Sequence, residues 1–229
     1  MKPICFIAAR GGSKGVPKKN IRVIEGKPLI AHTIVKAIKS GIFSHVVVST
    51  EDSEIAAIAK KYGAELPFRR PKKLAEDKTG GDEVLRHGIK KLYSLGYDFN
   101  IVVLLDCTVP FIRIQDIKAS ISMAKKKKCD IVAGVYRQHL NPYYNIVELK
   151  NGFLKLVKLP KKEFRTRQES PKVYQLNGLY TVNAKKFLKH GFDLSNTIPY
   201  EIPIETGVMI DTEFEFQIAK QMFKYLSKQ

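Results

Sequence analysis

Residues 7–20 read IAARGGSKGVPKKN and grow directly out of the apolar run PICFIAA at 3–9. That run mixes β-branched and aromatic residues without polar alternation, the pattern of a strand buried on both faces. The stretch that follows places Gly11, Gly12 and Gly15 among Arg10, Lys14, Lys18 and Lys19. Glycine lets a backbone turn tightly and bring its N–H groups close to a ligand. Successive N–H groups in such turns form an anion-binding nest. Arg10, Lys14 and Lys19 add the charge that a polyphosphate needs. A loop leaving the C-terminal end of a parallel strand stands at the edge where open α/β sheets bind ligands. The stretch matches neither G-x-x-x-x-G-K-[ST] nor G-x-G-x-x-G, so neither a P-loop nor a nicotinamide fingerprint is indicated. Spacing alone also admits a basic surface loop with turn glycines.

Working outward, PLIAHTIVKAIKSG (28–41) carries apolar residues at helical spacing and ends at Gly41. HVVVST (45–50) reads as a buried strand. EDSEIAAIAKKYGA (51–64) reads as a helix, acidic at its start and with Gly63 past its end. GDEVLRHGIKKLYSLG (81–96) is the next helix, and NIVVLLD (100–106) is a strand apolar on both faces, hence central. IQDIKASISMAKKK (114–127) and DIVAGVY (130–136) continue the alternation of helix and strand. Such an order predicts an α/β fold: a mostly parallel, Rossmann-like sheet in three layers with helices on both faces. After about residue 138 the pattern breaks. Residues 141–160 read as a hairpin-like excursion around the Asn151-Gly152 turn, and 161–175 as a polar stretch. NGLYTVNAKKFLKHG (177–191) returns to strand and helix. IPYEIPI (198–204) reads as a strand and TEFEFQIAKQMFKYL (212–226) as an amphipathic helix. The expected organisation is one domain over 1–229 with an inserted arm at about 138–175.

The chain of 229 residues has a formal charge of +18 and is 44% hydrophobic, ordinary for a globular protein of this size. No apolar run approaches the roughly 20 residues that cross a bilayer. The apolar part of MKPICFIAAR is too short for a secretory leader, so the expected compartment is the cytoplasm. The charge excess is lysine, 31 against 9 arginines, spread along the chain. Nucleic-acid readers concentrate arginine and aromatic residues on one element, so neither nucleic acid nor membrane is expected as a partner. The dense block Lys125–Lys128 reads as the solvated end of a helix. Cys5, Cys107 and Cys129 lack C-x-x-C or zinc spacing and read as core residues. The five histidines have no triad-like spacing and read as structural.

The opening stretch resembles the N-terminal signature of the CMP-sugar-acid synthetases, the acylneuraminate cytidylyltransferase family. The resemblance continues through STEDSEIA (49–56), RPKKLAED (70–77), RQESPKVYQLNGLYTVN (167–183) and IDTEFEFQIAK (210–220), ordered motifs over about 220 residues. It implies a nucleotidyltransferase fold with an inserted dimerisation arm, and a homodimer. The implied reaction joins CTP to a sugar acid, the anomeric hydroxyl attacking the α-phosphate with release of pyrophosphate and with Mg²⁺ as cofactor. By resemblance the CTP site comprises Ala8, Arg10, Gly11, Ser13, Lys14, Asn20, Arg70 and Asp77. Arg10, Lys19 and Asp211 carry the catalytic electrostatics, and Asp106, Arg167, Gln168, Tyr174 and Asn177 face the sugar. Arg167 suits a carboxylate, because its planar fork can hold both oxygens. Without the resemblance, Asn177-Gly178 is an ordinary turn pair.

Two positions depart from the family pattern. Met209 stands where the first of two C-terminal metal aspartates is expected, leaving Asp211, and Asp106 replaces a glutamine. DCTVPFI (106–112) also resembles the D-A-A-R-P-F-V segment of methylerythritol-phosphate cytidylyltransferases, which implies an active-site carboxylate at 106. Mg²⁺ needs only one or two carboxylates besides substrate phosphates, so Asp211 with Asp106 is the expected metal pair. Glu213 and Glu215 are further carboxylates in the same region, equally readable as helix N-terminal acids. The resemblance leaves sialate, legionaminate and pseudaminate equally open as acceptors. Kdo enzymes lack the ARGGSKG form of the loop and resemble the chain less. A same-fold enzyme with another acceptor and a nucleotide-binding homologue without catalysis are the alternative readings.

Overall fold

The computed structural model describes residues 1–159, 164 and 166–226. The apolar run at the N-terminus forms β1 (Ile4–Ala8), and the glycine-rich loop follows it. After a 3₁₀ turn at Lys19–Ile21 come a short ribbon of β2 (Val23–Ile24) and β3 (Lys27–Pro28), then α1 (Leu29–Lys39). Next are β4 (His45–Ser49), α2 (Ser53–Lys61), α3 (Gly81–Ser94), β5 (Ile101–Leu105), α4 (Ile114–Lys127) and β6 (Ile131–Gln138). The chain then makes a hairpin of β7 (Val147–Lys150) and β8 (Phe153–Leu156) and returns in β9 (Val173–Asn183). It finishes with α5 (Ala184–His190), β10 (Thr197–Glu201) and α6 (Glu213–Leu226).

The main sheet has six strands in the order β10-β6-β9-β5-β1-β4. β1 pairs in parallel with β4 and β5, and β6 pairs in parallel with β10. β9 runs antiparallel between β5 and β6. It returns from β6 through the hairpin excursion with Gln138 opposite Val173, so no crossover reverses its direction. The sheet is thus mostly parallel, as the sequence predicts, with one reversed strand. The strand expected at 198–204 stops at Glu201, and Ile204–Gly207 is a 3₁₀ turn.

Side-chain alternation along each strand builds the layers. In β1, Cys5 and Ile7 pack with α1, α2 and α4, whereas Ile4 and Phe6 pack with α3 and α5. Phe6 is fully buried, a contribution of about 2–3 kcal/mol. The helix spacing of the sequence reappears as these two apolar faces. Asp52 caps α2 by accepting from the N–H of Glu54 (2.8 Å) and of Ile55 (2.9 Å). A third cluster joins α6 to the loop and ribbon through Phe216, Ile210, Val16 and Ile24. α6 therefore closes over the edge that carries the glycine-rich loop.

The hairpin β7–β8 turns on Asn151 (φ 54°) and Gly152 (φ 80°), the conformation that Asn-Gly pairs favour. It fulfils the turn reading there. Asn177-Gly178 behaves otherwise: both residues lie inside β9. Residues 160–163 and 165, in the predicted arm, lie outside the described residues.

Candidate active site

The loop after β1 and the start of the segment after β5 face each other because β1 and β5 are neighbours and end at the same edge. A cavity of about 420 Å³ opens there. Ala8, Arg10, Ser13, Lys14, Lys19 and Asn20 of the first loop line it, with Arg70 from beyond β4. Asp106 and Asp211 enter the same cavity.

 The nine residues just named, Ala8 through Asp211, are all expected site residues, and Gly11 and Asp77 stand beside the cavity rather than in its lining.

Each position has a local cause. Asn20 is buried and donates through Nδ2 to the carbonyl of Arg10 (3.0 Å), so it folds the loop back on its own start. The Cys107 thiol donates to Asn20 Oδ1 (3.0 Å), which ties that loop to the segment after β5. Burial pushes the Cys107 thiol far up, so it serves as a buried donor rather than a nucleophile. Arg70 is buried against the end of β4, where it donates to Ser49 Oγ (3.2 Å) and to the Ser49 carbonyl. Desolvation lowers its basicity. Arg10 pairs with Asp77 (3.0 Å), and Lys14 pairs with the other oxygen of the same carboxylate (2.6 Å). Lys14 and Arg10 hold the Asp77 carboxyl below its ordinary range. Asp77 thus bridges the two cations from outside the cavity. The Gly11 N–H donates to Glu51 Oε1 (2.7 Å), so this member of the expected nest is already engaged, and Gly11 lines a smaller neighbouring cavity.

Lys19 reaches across to the far end of the chain. Its ammonium donates to the Ile210 carbonyl (2.6 Å) and to Asp211 Oδ1 (2.8 Å). Asp211 sits in the coil just before α6 rather than at the end of a strand. A capping box holds it there. Glu215 accepts from the N–H groups of Asp211 and Thr212 (both 2.8 Å), and Thr212 Oγ1 accepts from the Glu215 N–H (3.3 Å). Glu215 is thereby engaged in capping, and Glu213 forms a two-pronged pair with Arg22 that holds its carboxyl down at about 2. Both acids follow the helix-terminus reading.

Asp106 does stand at a strand end, directly after β5. Its Oδ1 accepts from the N–H and the hydroxyl of Thr108 (both 2.9 Å), and its N–H donates to the Gly178 carbonyl (2.8 Å). Burial raises its carboxyl despite these bonds and the charge of Lys19, and the nearby Asp211 adds to the rise. Two hard carboxylates on one cavity wall, beside cations that suit phosphate, form a donor set that fits Mg²⁺. Among the described residues no group of three or more metal-type side chains converges, so phosphate oxygens and water would complete any such shell.

The residues expected to face the sugar do not gather in one place. Arg167 and Gln168 line a different cavity of about 330 Å³ near the hairpin, with Arg137, His139 and Asn141. Arg167 Nη2 donates to the His139 carbonyl (3.0 Å). Tyr174 is exposed on β9 opposite Arg137. Asn177 is buried on β9, and neither end of its amide finds a hydrogen-bond partner. Within one chain, then, Arg167, Gln168 and Tyr174 do not join Asp106. Conversely, Gly15, Cys107 and Thr108 line the cavity without having been singled out as ligands. Their closeness in sequence to Lys14 and Asp106 was the available signal.

Comparison with known proteins places this geometry. Residues 4–194 match the family model described as cytidylyltransferase. The chain is 35% identical over 220 residues to a CMP-N,N'-diacetyllegionaminic acid synthase of Campylobacter jejuni, covering 95% of this chain and 93% of that one. It is 31% identical over 229 residues to a pseudaminic acid cytidylyltransferase of the same species, covering 98% and 97%. Its fold is similar to that of CMP:2-keto-3-deoxy-manno-octonic acid synthetase solved with CTP, at a TM-score of 0.72, 16% identity and coverage of 98% and 99%. Among the described residues, no helix is long and apolar enough to cross a membrane. With most of its length matching the family model and near-complete relatives above 30% identity, the chain belongs to the cytidylyltransferase family.

Proposed function

We propose that this cytidylyltransferase transfers CMP from CTP to the anomeric hydroxyl of a nonulosonic acid of the legionaminate, pseudaminate or sialate kind, releasing pyrophosphate. The observation that carries the reading is the single cavity in which Arg10, Lys14, Lys19 and Arg70 face Asp106 and Asp211. Displacement at the α-phosphate spreads negative charge over phosphate oxygens and the leaving pyrophosphate. Fixed cations in a partly water-excluded cavity stabilise that charge more than they stabilise the ground state. Lys19 is placed for this by its bonds to Ile210 and Asp211. Arg10 and Lys14 are freed for phosphate as they exchange Asp77 for it. The acceptor oxygen approaches the phosphorus opposite the leaving pyrophosphate, and no covalent enzyme intermediate is required.

Asp106 and Asp211 would hold Mg²⁺, which supplies charge neutralisation at the phosphates when bound. The hairpin supports a homodimer: Leu149, Phe153 and Leu154 are 75%, 73% and 71% exposed, and exposed apolar side chains grouped on one element mark a surface that another chain covers. In a dimer, Arg167 of one protomer would reach the acceptor of the other. Because the reaction consumes CTP, we place it in the cytoplasm.

The test is pyrophosphate release from CTP with a panel of nonulosonic acids, with UTP and ATP as controls. CTP-dependent release with at least one acid is expected, abolished by EDTA and lowered at least 10²-fold in Asp106→Ala. Tight CTP binding without turnover on any acid would favour a nucleotide-binding homologue that has lost catalysis. Full activity of Asp106→Ala at saturating Mg²⁺ would remove Asp106 from the metal pair.

A further inference from the structure

Three consecutive residues after β5 tie the walls of the cation-rich cavity together. The Asp106 N–H donates to the Gly178 carbonyl of β9 (2.8 Å). The Cys107 thiol donates to Asn20 Oδ1 at the end of the glycine-rich loop (3.0 Å). The Thr108 carbonyl accepts from the N–H of Ile210 (2.9 Å), the neighbour of Asp211. The first and third links are made by backbone, and almost any residue could make them. The link to Asn20 is made by a side chain, and only a side chain with a donor can make it.

Asn20 is 6% exposed and lines the cavity. Its amide has two hydrogens on nitrogen and one acceptor oxygen. One Nδ2 hydrogen goes to the Arg10 carbonyl (3.0 Å), and Oδ1 takes the thiol. Carbonyl and thiol thus fix the amide from its two ends. Turned over, it would set oxygen against the Arg10 carbonyl and leave the thiol facing an NH₂ group. The second Nδ2 hydrogen has no partner among the described residues, so a buried donor on the cavity wall stands unused. Cys107 is itself buried, and burial pushes its thiol far up, so the donated proton stays on sulfur at any working pH.

We propose that Cys107 is a positioning residue for the nucleotide: its S–H holds the Asn20 amide so that the unused Nδ2 hydrogen is presented to CTP. The proposal rests on the reading above that Asn20 belongs to the CTP site. Without the thiol, Oδ1 is buried with no donor to accept from, and the amide is released to swing off the Arg10 carbonyl at the start of the charged loop. A net contribution of one hydrogen bond corresponds to a loss of CTP affinity of about three- to tenfold. The bond reaches the nucleotide side of the cavity, so the acceptor's KM should not move.

Titration calorimetry of the full chain with CTP and Mg²⁺ tests this on the parent, Cys107→Ala, Cys107→Val, Cys107→Ser, Asn20→Ala and the double variant Cys107→Ala with Asn20→Ala. Cys107→Ala should raise the Kd for CTP about three- to tenfold. Cys107→Val fills the space of the sulfur without a donor and should weaken CTP as the alanine does, which separates the donor from its volume. Cys107→Ser keeps a donor at the same place and should bring Kd back to within about twofold of the parent. In the Asn20→Ala background, Cys107→Ala should add nothing, because the amide through which it acts is gone. The KM for CTP in pyrophosphate release should follow the same order. Parental CTP affinity in both donorless variants, a serine variant as weak as they are, or a full Cys107→Ala effect in the Asn20→Ala background overturns the proposal and leaves the cytidylyltransferase reading standing. A parent that does not bind CTP overturns that reading and the proposal with it.

Discussion

Gly15→Ala tests the contact on which the candidate site depends. A Cβ at Gly15 would stand 2.0 Å from the carbonyl oxygen of Asp211 and 3.2 Å from its carbonyl carbon. Carbon and oxygen approach to about 3.3 Å at closest, so one backbone must retreat by more than about 1 Å. Neither can do so quietly. Asp211 is pinned by the Glu215 capping box and by Lys19, and the loop is pinned through buried Val16 and Asn20. Overpacking of this kind costs about 1–3 kcal/mol. For a chain of this size that is a fall in Tm of roughly 2–4 °C per kcal/mol. Catalysis should fall further, because a displacement of about 1 Å in a positioned group can cost 10²-fold. Gly12→Ala is the matched control for stability: a Cβ there meets nothing within 4 Å, so Tm should stay near the parent. Thermal unfolding and pyrophosphate release from CTP, measured side by side on both variants, check the argument. A Gly15→Ala chain with parental kcat and Tm would refute it, since the loop and Asp211 could then separate without consequence.

Lys36 is held against the Pro110 carbonyl, and burial lowers its pKa to about 8 from an ordinary 10.5. The charged form is the one the fold disfavours, so this cost is complete below about pH 8 and fades as pH rises toward 10.5. Stability of the parent relative to Lys36→Met should therefore rise over that window, by at most on the order of 3 kcal/mol, in urea melts at pH 7.5 and 10; parallel curves would contradict it. Asp77→Asn removes a half-exposed carboxylate from Arg10 and Lys14, so stability should change by less than about 1 kcal/mol while CTP affinity, read by titration calorimetry, rises severalfold at low salt. An unchanged or weakened affinity would mean that Asp77 orients the cations instead of competing with phosphate. Leu149→Lys with Leu154→Lys puts charge on facing positions of the hairpin and should convert a dimer to a monomer by light scattering; a monomeric parent would remove the dimer proposal.

Much of the scaffold could be read along the chain because its signals are local. Apolar runs of five or so residues made β1, β4 and β5, helical spacing with a glycine stop made α1, and the same pattern with an acidic start made α2. Asn151-Gly152 formed the turn that its conformational preference demands. Asn177-Gly178 did not, although the dipeptide is the same. There the glycine serves tertiary contact: a Cβ at Gly178 would lie 2.4 Å from the Cβ of Asp106, so the strand next to β5 needs the missing atom for closeness rather than for a turn. Sequence alone cannot distinguish these two uses of glycine, because one depends on its neighbours in the chain and the other on a strand some 70 residues away.

The same division runs through the site. IAARGGSKGVPKKN by itself determined a flexible, cationic loop after a buried strand, since glycine's freedom and the charge of arginine and lysine are properties of the residues. The tertiary structure decided what that loop faces. It brought Asp211 against Lys19 across 192 positions of sequence, engaged the Gly11 N–H with Glu51, and set Arg167 apart from Asp106 within the chain. It also assembled an apolar cavity behind Asp106 from Leu104, Leu176, Tyr180, Phe192 and Leu194, residues that share no motif. A cavity is the space between elements, and its shape and lining exist only once the sheet order and the packing of α3 and α5 are set.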